Sequence, residues 1–300
     1  MYSALTRRVF SSAVGAALAG VALSQPATVR ARGTSDDNLG RKLIEIEQRL
    51  VARLGISIFD TQTERRWSHR ANERFPMCST FKVLASGAVL ALVDAGKEDL
   101  SRHIRFDVKD LVTYSPVTES RVGGQGMTLA ELCEAAVTRS DNTAGNLLLK
   151  CIGGPSGVTA FARSLGDSAT RLDRWEAELN EATPGDPRDT TTPAAMAANL
   201  RLLVLGNKLS ERSREQLTTW LVSNKTGDAK LRAGFPREWR VGDKTGGGDH
   251  GTMNDVAVVW PTGRSPVIVS IYMTETRASF DDRNAAIAEL ARELKVALTA

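Results

Sequence analysis

Residues 254–261 read NDVAVVWP and residues 266–274 read PVIVSIYMT, two apolar runs of strand length separated by a turn. REWRVGDKTG (237–246) comes just before them, and GISIFDT (55–61), near the other end of the chain, alternates apolar and polar residues. Short runs of this kind, bounded by turn-forming residues, predict β-strands. The sequence therefore predicts a sheet that draws strands from both ends of the chain.

Helical patterns surround these strands. Residues 37–53 and 281–298 each place apolar side chains on one helical face, and residues from about 79 to 222 are mostly helical, broken by loops. The simplest packing joins the two ends as one sheet-and-helix domain and inserts the middle as a helical domain, with a cleft for catalysis between them. The predicted domains are residues 37–70 with 223–300, and residues 71–222.

The first residues are predicted to be a targeting signal. Residues 1–31 place Arg7 and Arg8 before a short apolar stretch that ends in small residues, the layout of a cleaved signal peptide. The arginine pair favours a twin-arginine signal over an ordinary secretory one. No later stretch is long and apolar enough to span a membrane. We therefore expect a mature protein without a membrane segment, in the periplasm or secreted.

Composition and metal-binding patterns narrow the function classes. The 300 residues are 42% hydrophobic and 25% charged, and the net charge of +4 is scattered, so we expect no nucleic-acid partner. Three cysteines are present at spacings that fit no zinc site: Cys78, Cys133 and Cys151. The three histidines lie far apart in the sequence: His69, His103 and His250. The sequence predicts no disulfide framework, no metal and no cofactor.

The stretch PMCSTFKVL (76–84) holds Ser79 and Lys82 three residues apart, at the start of an apolar run. Positions i and i+3 share a helix face, so the lysine amine can approach the serine hydroxyl, and a helix N-terminus favours negative charge developing there. The pair fits an activated nucleophile. It also fits a helix cap beside a surface lysine, and the motif alone leaves both open.

Two further motifs supply the polar groups that such a site needs. In TRSDNTAGN (138–146), Ser140 can relay a proton and Asn142 can hold a carbonyl or brace a lysine. In VGDKTGGGDHGT (241–252), Lys244 and Thr245 can grip a carboxylate, and the glycines let a ligand approach the backbone. Each motif alone is also an ordinary turn or strand end. Together, in this order, they indicate one site.

S-x-x-K, S-D-N and K-T-G together resemble the signature of class A β-lactamases and penicillin-binding proteins. RLDRWEAELN (171–180) adds Glu176 and Asn180 in the E-x-x-L-N pattern of the class A enzymes. RFPMCSTFK, LVTYSPVTE and GDPRDTTTPAAMA extend the likeness over nearly the whole mature chain. The resemblance implies a fold of the α/β plus all-α class: an antiparallel sheet flanked by N- and C-terminal helices, with an inserted helical domain.

The resemblance also implies a reaction, the hydrolysis of β-lactams through an acyl-serine intermediate on Ser79. Lys82 or Glu176 would be the base for acylation, and the family leaves that choice disputed. Glu176, aided by Asn180, would activate the water that releases the acyl group. Ser140 would pass a proton to the leaving ring nitrogen.

Substrate binding is implied for a second group: Asn142, Asn180, Lys244, Thr245, Gly247, Tyr114 and Lys230. Lys244 and Thr245 would bind the substrate carboxylate, and the N–H of Gly247 would join that of the nucleophile in an oxyanion hole. Tyr114 matches the aromatic residue at the pocket mouth. Lys230 is preferred as a second cation for the carboxylate, and Arg283 is the alternative.

The sequence departs from the family at a few positions. Ala177 stands where the family often has a proline after a cis peptide bond, although Arg174 and Asp189 match the ion pair that closes this loop. Cys78 has no partner like the one that pairs it in the family's carbapenemases. Gly247 offers no hydroxyl to a substrate. We therefore expect penicillins and some cephalosporins to be good substrates and carbapenems to be poor ones.

Two other functions share most of these motifs. A D-alanyl-D-alanine peptidase of the penicillin-binding type would be acylated at Ser79 but would lack the deacylating glutamate, so Glu176 and Asn180 count against it. A non-enzymatic β-lactam sensor needs a membrane tether or an output module, and neither is visible. We expect a monomer that acts on a small-molecule β-lactam.

Overall fold

The computed structural model describes residues 33–299, with side chains from residue 38 onward. The helices of this part are α1 (Gly33–Leu50), α2 (Phe81–Asp94), α3 (Leu129–Thr138), α4 (Asn142–Cys151), α5 (Pro155–Ser164), α6 (Pro193–Val204), α7 (Glu211–Val222), α8 (Leu231–Gly234) and α9 (Phe280–Thr299). Its strands are β1 (Arg53–Asp60), β2 (Arg66–His69), β3 (Phe75–Pro76), β4 (His103–Ile104), β5 (Met127–Thr128), β6 (Thr190–Thr191), β7 (Arg240–Gly247), β8 (Met253–Trp260) and β9 (Val267–Thr274). The predicted signal peptide, residues 1–31, lies outside the described residues. None of the helices in residues 33–299 combines the length and apolar character needed to cross a membrane.

The long strands form one antiparallel sheet in the order β2-β1-β9-β8-β7. The register of β1 with β9 runs from Arg53 opposite Thr274 to Asp60 opposite Val267, so the two ends of the chain are paired along their full strand length. The predicted sheet is confirmed, and its strand bounds differ by only a few residues from those read in the sequence. β2 was not predicted, because its sequence RWSH lacks a clear apolar run and becomes a strand by pairing with β1.

Helices cover both faces of this sheet. On one face, α1, α8 and α9 bury an apolar cluster that includes Leu43, Ile46 and Leu290. On the other face, α6 lies against β1 and β9, and a larger cluster surrounds α2. Residues 81–90 of α2 are all buried, as expected of a helix whose sequence is apolar nearly all round. The fold class is confirmed, whereas the exact domain boundaries stay a prediction.

Four segments carry the predicted catalytic residues and the K-T-G motif, and three of these segments come from the middle of the chain. The N-terminus of α2, the link between α3 and α4, and the loop of residues 171–189 come from the predicted helical region. The fourth segment is the end of β7. The strands within the helical region are only two residues long, so its backbone is built mainly from α2 to α7 and their loops.

Candidate active site

Ser79 lies in a single 3-10 turn, Cys78–Thr80, that leads directly into α2. Cys78 has a φ of +45°, a conformation that residues with a side chain rarely adopt and that must be held by its surroundings. Asn254, the second residue of β8, donates from its side-chain amide to the carbonyls of Pro76 and Met77 at 2.9 and 3.0 Å. The turn is therefore tied to the sheet just before the serine.

Lys82 is fully buried in the first turn of α2. Its Nζ lies close to four oxygens: Ser79 Oγ at 2.8 Å, the Ser140 carbonyl at 2.9 Å, Asn142 Oδ1 at 2.7 Å and Glu176 Oε1 at 2.9 Å. Gly145 makes room for this side chain, since a Cβ at that position would stand 2.8 Å from Lys82 Cε. The structure thus brings the four predicted catalytic residues and Asn142 together.

Glu176 is the second ionisable residue beside the serine hydroxyl. Its Oε1 accepts from Ser79 Oγ at 3.3 Å, and its Oε2 accepts from the side-chain amide of Asn180. Asn146 holds the main chain of the glutamate twice, since its Oδ1 accepts from the Glu176 N–H and its Nδ2 donates to the Glu176 carbonyl, both at 2.9 Å. Sequence reasoning missed Asn146; its signal is the spacing of four residues from Asn142, which puts both on one face of α4.

The loop that carries Glu176 is closed by the predicted ion pair. Arg174 Nε donates to Asp189 Oδ2 at 2.6 Å, and Asp189 Oδ1 accepts from the N–H groups of Asp173 and Arg174 at 2.7 and 2.9 Å. Asp189 is buried, so each of its oxygens is matched by donors from the start of the loop. The peptide bond between Glu176 and Ala177 is cis.

The K-T-G motif forms the remaining wall. Lys244 is fully buried and its Nζ donates to Ser140 Oγ at 2.9 Å and to the Thr245 carbonyl at 2.7 Å. Burial, reinforced by the charge of Lys82, lowers the pKa of Lys244 to about 7. Gly247 lies open at the end of β7, where an added Cβ would come no closer than 3.9 Å to the Thr252 carbonyl.

The buried serine contacts a lysine and a carboxylate, and each of these is held by an asparagine amide. This is the arrangement that the motifs predicted, and comparisons with known proteins agree. Residues 38–298 match the model of the β-lactamase enzyme family. An ancestral class A β-lactamase of known structure is 62% identical, with a TM-score of 0.85 over 86% of this chain and 99% of that one. The chain belongs to the class A β-lactamase family.

Curated relatives from two genera agree with this assignment. β-Lactamase FAR-1 of Nocardia farcinica is 53% identical over 84% of this chain and 80% of its own length. β-Lactamase AST-1 of Nocardia asteroides is 51% identical over 86% of this chain and 83% of its own. β-Lactamase CTX-M-8 of Citrobacter amalonaticus is 50% identical over 85% and 88%. The likeness thus spans most of each chain rather than an isolated motif.

The two candidates for the second cation of this class A β-lactamase lie against the same aromatic ring. Lys230 Nζ is 5.4 Å from the ring centre of Phe280, and the Arg283 guanidinium is 5.8 Å from it. Lys230 is buried, its pKa is lowered by that burial, and its Nζ reaches only the Thr226 carbonyl, at 3.4 Å. Burial also lowers the pKa of Arg283, which is partly exposed.

Tyr114 is one of the predicted site residues that are exposed to solvent. It is 56% exposed, and its backbone has a φ of +66°. Its carbonyl accepts from the Asn142 N–H at 3.0 Å, and the carbonyl before it accepts from the Asn142 side-chain amide at 2.8 Å. The Tyr114 ring is therefore exposed, while the backbone at this position holds Asn142, whose side-chain oxygen accepts from Lys82 Nζ.

The cysteines of the enzyme are free thiols. Cys78 is fully buried beside the nucleophile, and burial raises the pKa of its thiol, which removes the thiolate that a second nucleophile would need. Its Sγ packs against Gly248, where an added Cβ would come within 2.8 Å. Cys78 therefore packs against the chain just after β7 and is not a second nucleophile.

The histidines lie apart from one another in the fold. His69 contacts Glu47 at 3.1 Å, His103 is exposed in β4, and His250 lies between β7 and β8. Among the residues whose side chains the structure describes, no group of three or more His, Cys, Asp and Glu could hold a metal ion. The expectation that no metal is needed stays a prediction.

The lowered pKa of Lys244 predicts a pH dependence. Its ammonium is charged below about pH 7 and neutral above it, so attraction for a substrate carboxylate should weaken as pH rises. We expect kcat/KM for benzylpenicillin to fall across this range in the wild-type enzyme. In Lys244→Arg the guanidinium keeps its proton, so the fall should move to higher pH. A fall at the same pH in both proteins would assign the titration to another group.

Proposed function

We propose that the protein hydrolyses the β-lactam ring of penicillins and some cephalosporins through an acyl intermediate on Ser79, and thereby gives antibiotic resistance. One observation carries the proposal: the Glu176 carboxylate lies 3.3 Å from the serine hydroxyl, with the Asn180 amide on its other oxygen. Ser79 and Lys82 alone explain acylation, which penicillin-binding relatives also undergo. The added carboxylate supplies what release of the acyl group requires.

The hydrogen bonds of Lys82 support Glu176 as the acylation base. An ammonium carries three N–H donors, and the Ser140 carbonyl, Asn142 Oδ1 and Glu176 Oε1 lie at 2.9, 2.7 and 2.9 Å from it. The orientation of the Asn142 amide is fixed, because its nitrogen donates to a backbone carbonyl at 2.8 Å. A charged Lys82 satisfies all three acceptors and has no lone pair to take the Ser79 proton.

Acylation then follows from the arrangement of the same groups. Glu176 takes the Ser79 proton, directly or through one water, and Lys82, 2.8 Å from Ser79 Oγ, stabilises the negative charge that develops on the oxygen. Ser79 Oγ bonds to the lactam carbonyl carbon, and the backbone N–H groups of Ser79 and Gly247 receive the oxyanion. The carbon–nitrogen bond breaks as Ser140 donates its proton to the ring nitrogen. The proton that Glu176 took then passes back to Ser140 by way of Lys82, 2.9 Å from the carboxylate, and solvent, so Glu176 is ionised again before deacylation.

Deacylation uses a water held by Glu176 and Asn180. The carboxylate takes a proton from this water as the oxygen attacks the acyl carbon. The ester bond to Ser79 then breaks, and the proton returns to the serine oxygen. Lys244 and Thr245 bind the substrate carboxylate throughout and hold the acyl group in line for attack.

Glu176→Gln tests the proposed role directly. The amide cannot accept the proton of the water, so release should slow by about 10²–10⁴-fold. Acylation should slow as well, and the part that persists would use Lys82, the other base that the motifs allow, because the carboxylate that holds its ammonium is gone. Intact-protein mass spectrometry should show a benzylpenicilloyl adduct that accumulates. Ser79→Ala is the matched control and should show no adduct. Full turnover by the Glu176→Gln protein without an adduct would remove the glutamate from the mechanism.

The two alternative functions predict acylation of Ser79 without continued turnover of the β-lactam. A D-alanyl-D-alanine peptidase or a β-lactam sensor would be acylated once and would then stall. Steady hydrolysis of a chromogenic cephalosporin by the purified wild-type protein, over many turnovers, would exclude both.

Lys230→Ala should raise KM more than it lowers kcat. The side chain is only 6% exposed, so a charge-assisted hydrogen bond from it to the substrate carboxylate should be shielded and contribute about 1.5–3 kcal/mol. Steady-state kinetics with benzylpenicillin measure the loss, and Arg283→Ala, which removes the other cation beside the Phe280 ring, is the control. Unchanged kinetics for Lys230→Ala with a raised KM for Arg283→Ala would transfer the role to the arginine.

Substrate range depends on Gly247. The residue has no hydroxyl for a substrate carboxylate, and we expect imipenem to be turned over far more slowly than benzylpenicillin. Open space at this position should let a serine fit without moving the backbone. Gly247→Ser should therefore lower KM for a cephalosporin while the melting temperature stays the same. Imipenem hydrolysis at a rate near that of benzylpenicillin would contradict the expected range.

We also propose that the enzyme is a monomer that is exported by a cleaved signal and works in the periplasm or outside the cell. Arg7 and Arg8 before a short apolar stretch support the export signal. The scattered surface charges support the expectation that nucleic acid is not a partner.

A further inference from the structure

The hydroxyl of Thr245, which the proposed function places at the substrate carboxylate, is already bonded to a second hydroxyl. Thr226 Oγ1 lies 2.6 Å from Thr245 Oγ1, in the loop between α7 and α8. Two residues before Thr226, the side-chain amide of Asn224 donates to Asp243 Oδ2 at 2.6 Å. Arg232 Nε donates to the other oxygen of this carboxylate, Asp243 Oδ1, at 2.6 Å. A chain of polar groups therefore runs from a buried ion pair to the substrate-binding hydroxyl.

The hydrogen bonds in this series of polar groups have a defined donor and acceptor at each step. The Thr226 N–H, which can only donate, points at Asn224 Oδ1 at 3.1 Å, so the asparagine must present its oxygen on this side. The Thr226 hydroxyl lies 2.9 Å from the same oxygen and donates its single hydrogen to it. In the contact between the two threonines, Thr226 must then accept and Thr245 must donate.

This resting direction conflicts with substrate binding. A carboxylate only accepts hydrogen bonds, so Thr245 has to turn its hydrogen from Thr226 towards the substrate. Thr245 then has a free lone pair facing Thr226. The Thr226 hydrogen can swing from Asn224 to this lone pair, and the asparagine oxygen keeps the Thr226 N–H. Each polar group has a partner in both states.

We infer that Thr226 is a positioning residue whose hydroxyl reverses its hydrogen bond when substrate arrives, orienting the Thr245 hydroxyl towards the substrate carboxylate. In the bound state, Thr226 donates to Thr245, which donates to the carboxylate, and hydrogen bonds in series strengthen one another. The inference rests on the proposed carboxylate-binding role of Thr245. It requires no movement of the backbone, only the rotation of two hydroxyl groups.

The test is the kinetics of Thr226→Val, which keeps the side-chain shape and removes the hydroxyl. KM for benzylpenicillin should rise about three- to tenfold, the effect of one neutral hydrogen bond, while kcat stays within twofold of the wild type. Thr226→Ser restores a hydroxyl and should restore KM. Thr219→Val is the matched control, because its exposed hydroxyl contacts only the Glu215 carbonyl, at 2.9 Å on α7.

A double-mutant cycle separates positioning from a structural role. In a Thr245→Val background, Thr226→Val should have no further effect on KM, since the hydroxyl through which it acts is gone. Equal effects of Thr226→Val in both backgrounds, or an unchanged KM in the single variant, would overturn the inference. An inactive wild-type protein would instead overturn the proposed function, so the two failures are distinguishable.

Discussion

The buried ammonium of Lys82 is the interaction on which the site depends. Removing a charge of this size from water costs several kcal/mol even after the protein relaxes, so the surrounding chain must supply oxygens at hydrogen-bonding distance. Those oxygens come from the turn before α2, from the link between α3 and α4, and from the loop closed by Asp189. The lysine therefore joins the three segments, and a segment that moves away leaves the buried charge with fewer hydrogen-bond partners than it needs.

The second constraint on the site is that the end of β7 must approach neighbouring backbone closely. Glycine makes this possible at two positions beside the nucleophile. A Cβ on Gly246 would stand 2.9 Å from the Met77 carbonyl, so β7 can lie against the turn that holds the serine only without a side chain. A Cβ on Gly248 would stand 2.5 Å from the Asn180 carbonyl. The end of β7 is thus packed between the nucleophile and the loop that carries the glutamate, and a substitution there displaces one or the other.

Sequence reasoning recovered the groups whose spacing along the chain reflects the chemistry. Ser79 and Lys82 lie three residues apart, so helical periodicity indicated that pair. Glu176 and Asn180 were instead recognised by the resemblance of RLDRWEAELN to the E-x-x-L-N pattern of class A β-lactamases. Asn254 and Thr226 escaped because the groups that they hold at the site, the Pro76 and Met77 carbonyls and the Thr245 hydroxyl, lie far from them in the sequence. Asn146 shares a helix face with Asn142, but its partner Glu176 is also distant in the sequence. Lys230 and Arg283 could not be separated either, since only the fold puts both beside Phe280.

The pairing of β1 with β9 has a consequence for the order in which the molecule is made. β1 leaves the ribosome long before its partner strand β9, because the helical region and β7 and β8 are synthesised between them. The nucleophile, the lysine and the glutamate are all translated before the strand that completes their wall. Contacts between such distant segments form slowly, because a long loop must close before they contribute stability. The central sheet therefore cannot close until β9 has been released, and the catalytic cleft cannot be completed until β7 has been released.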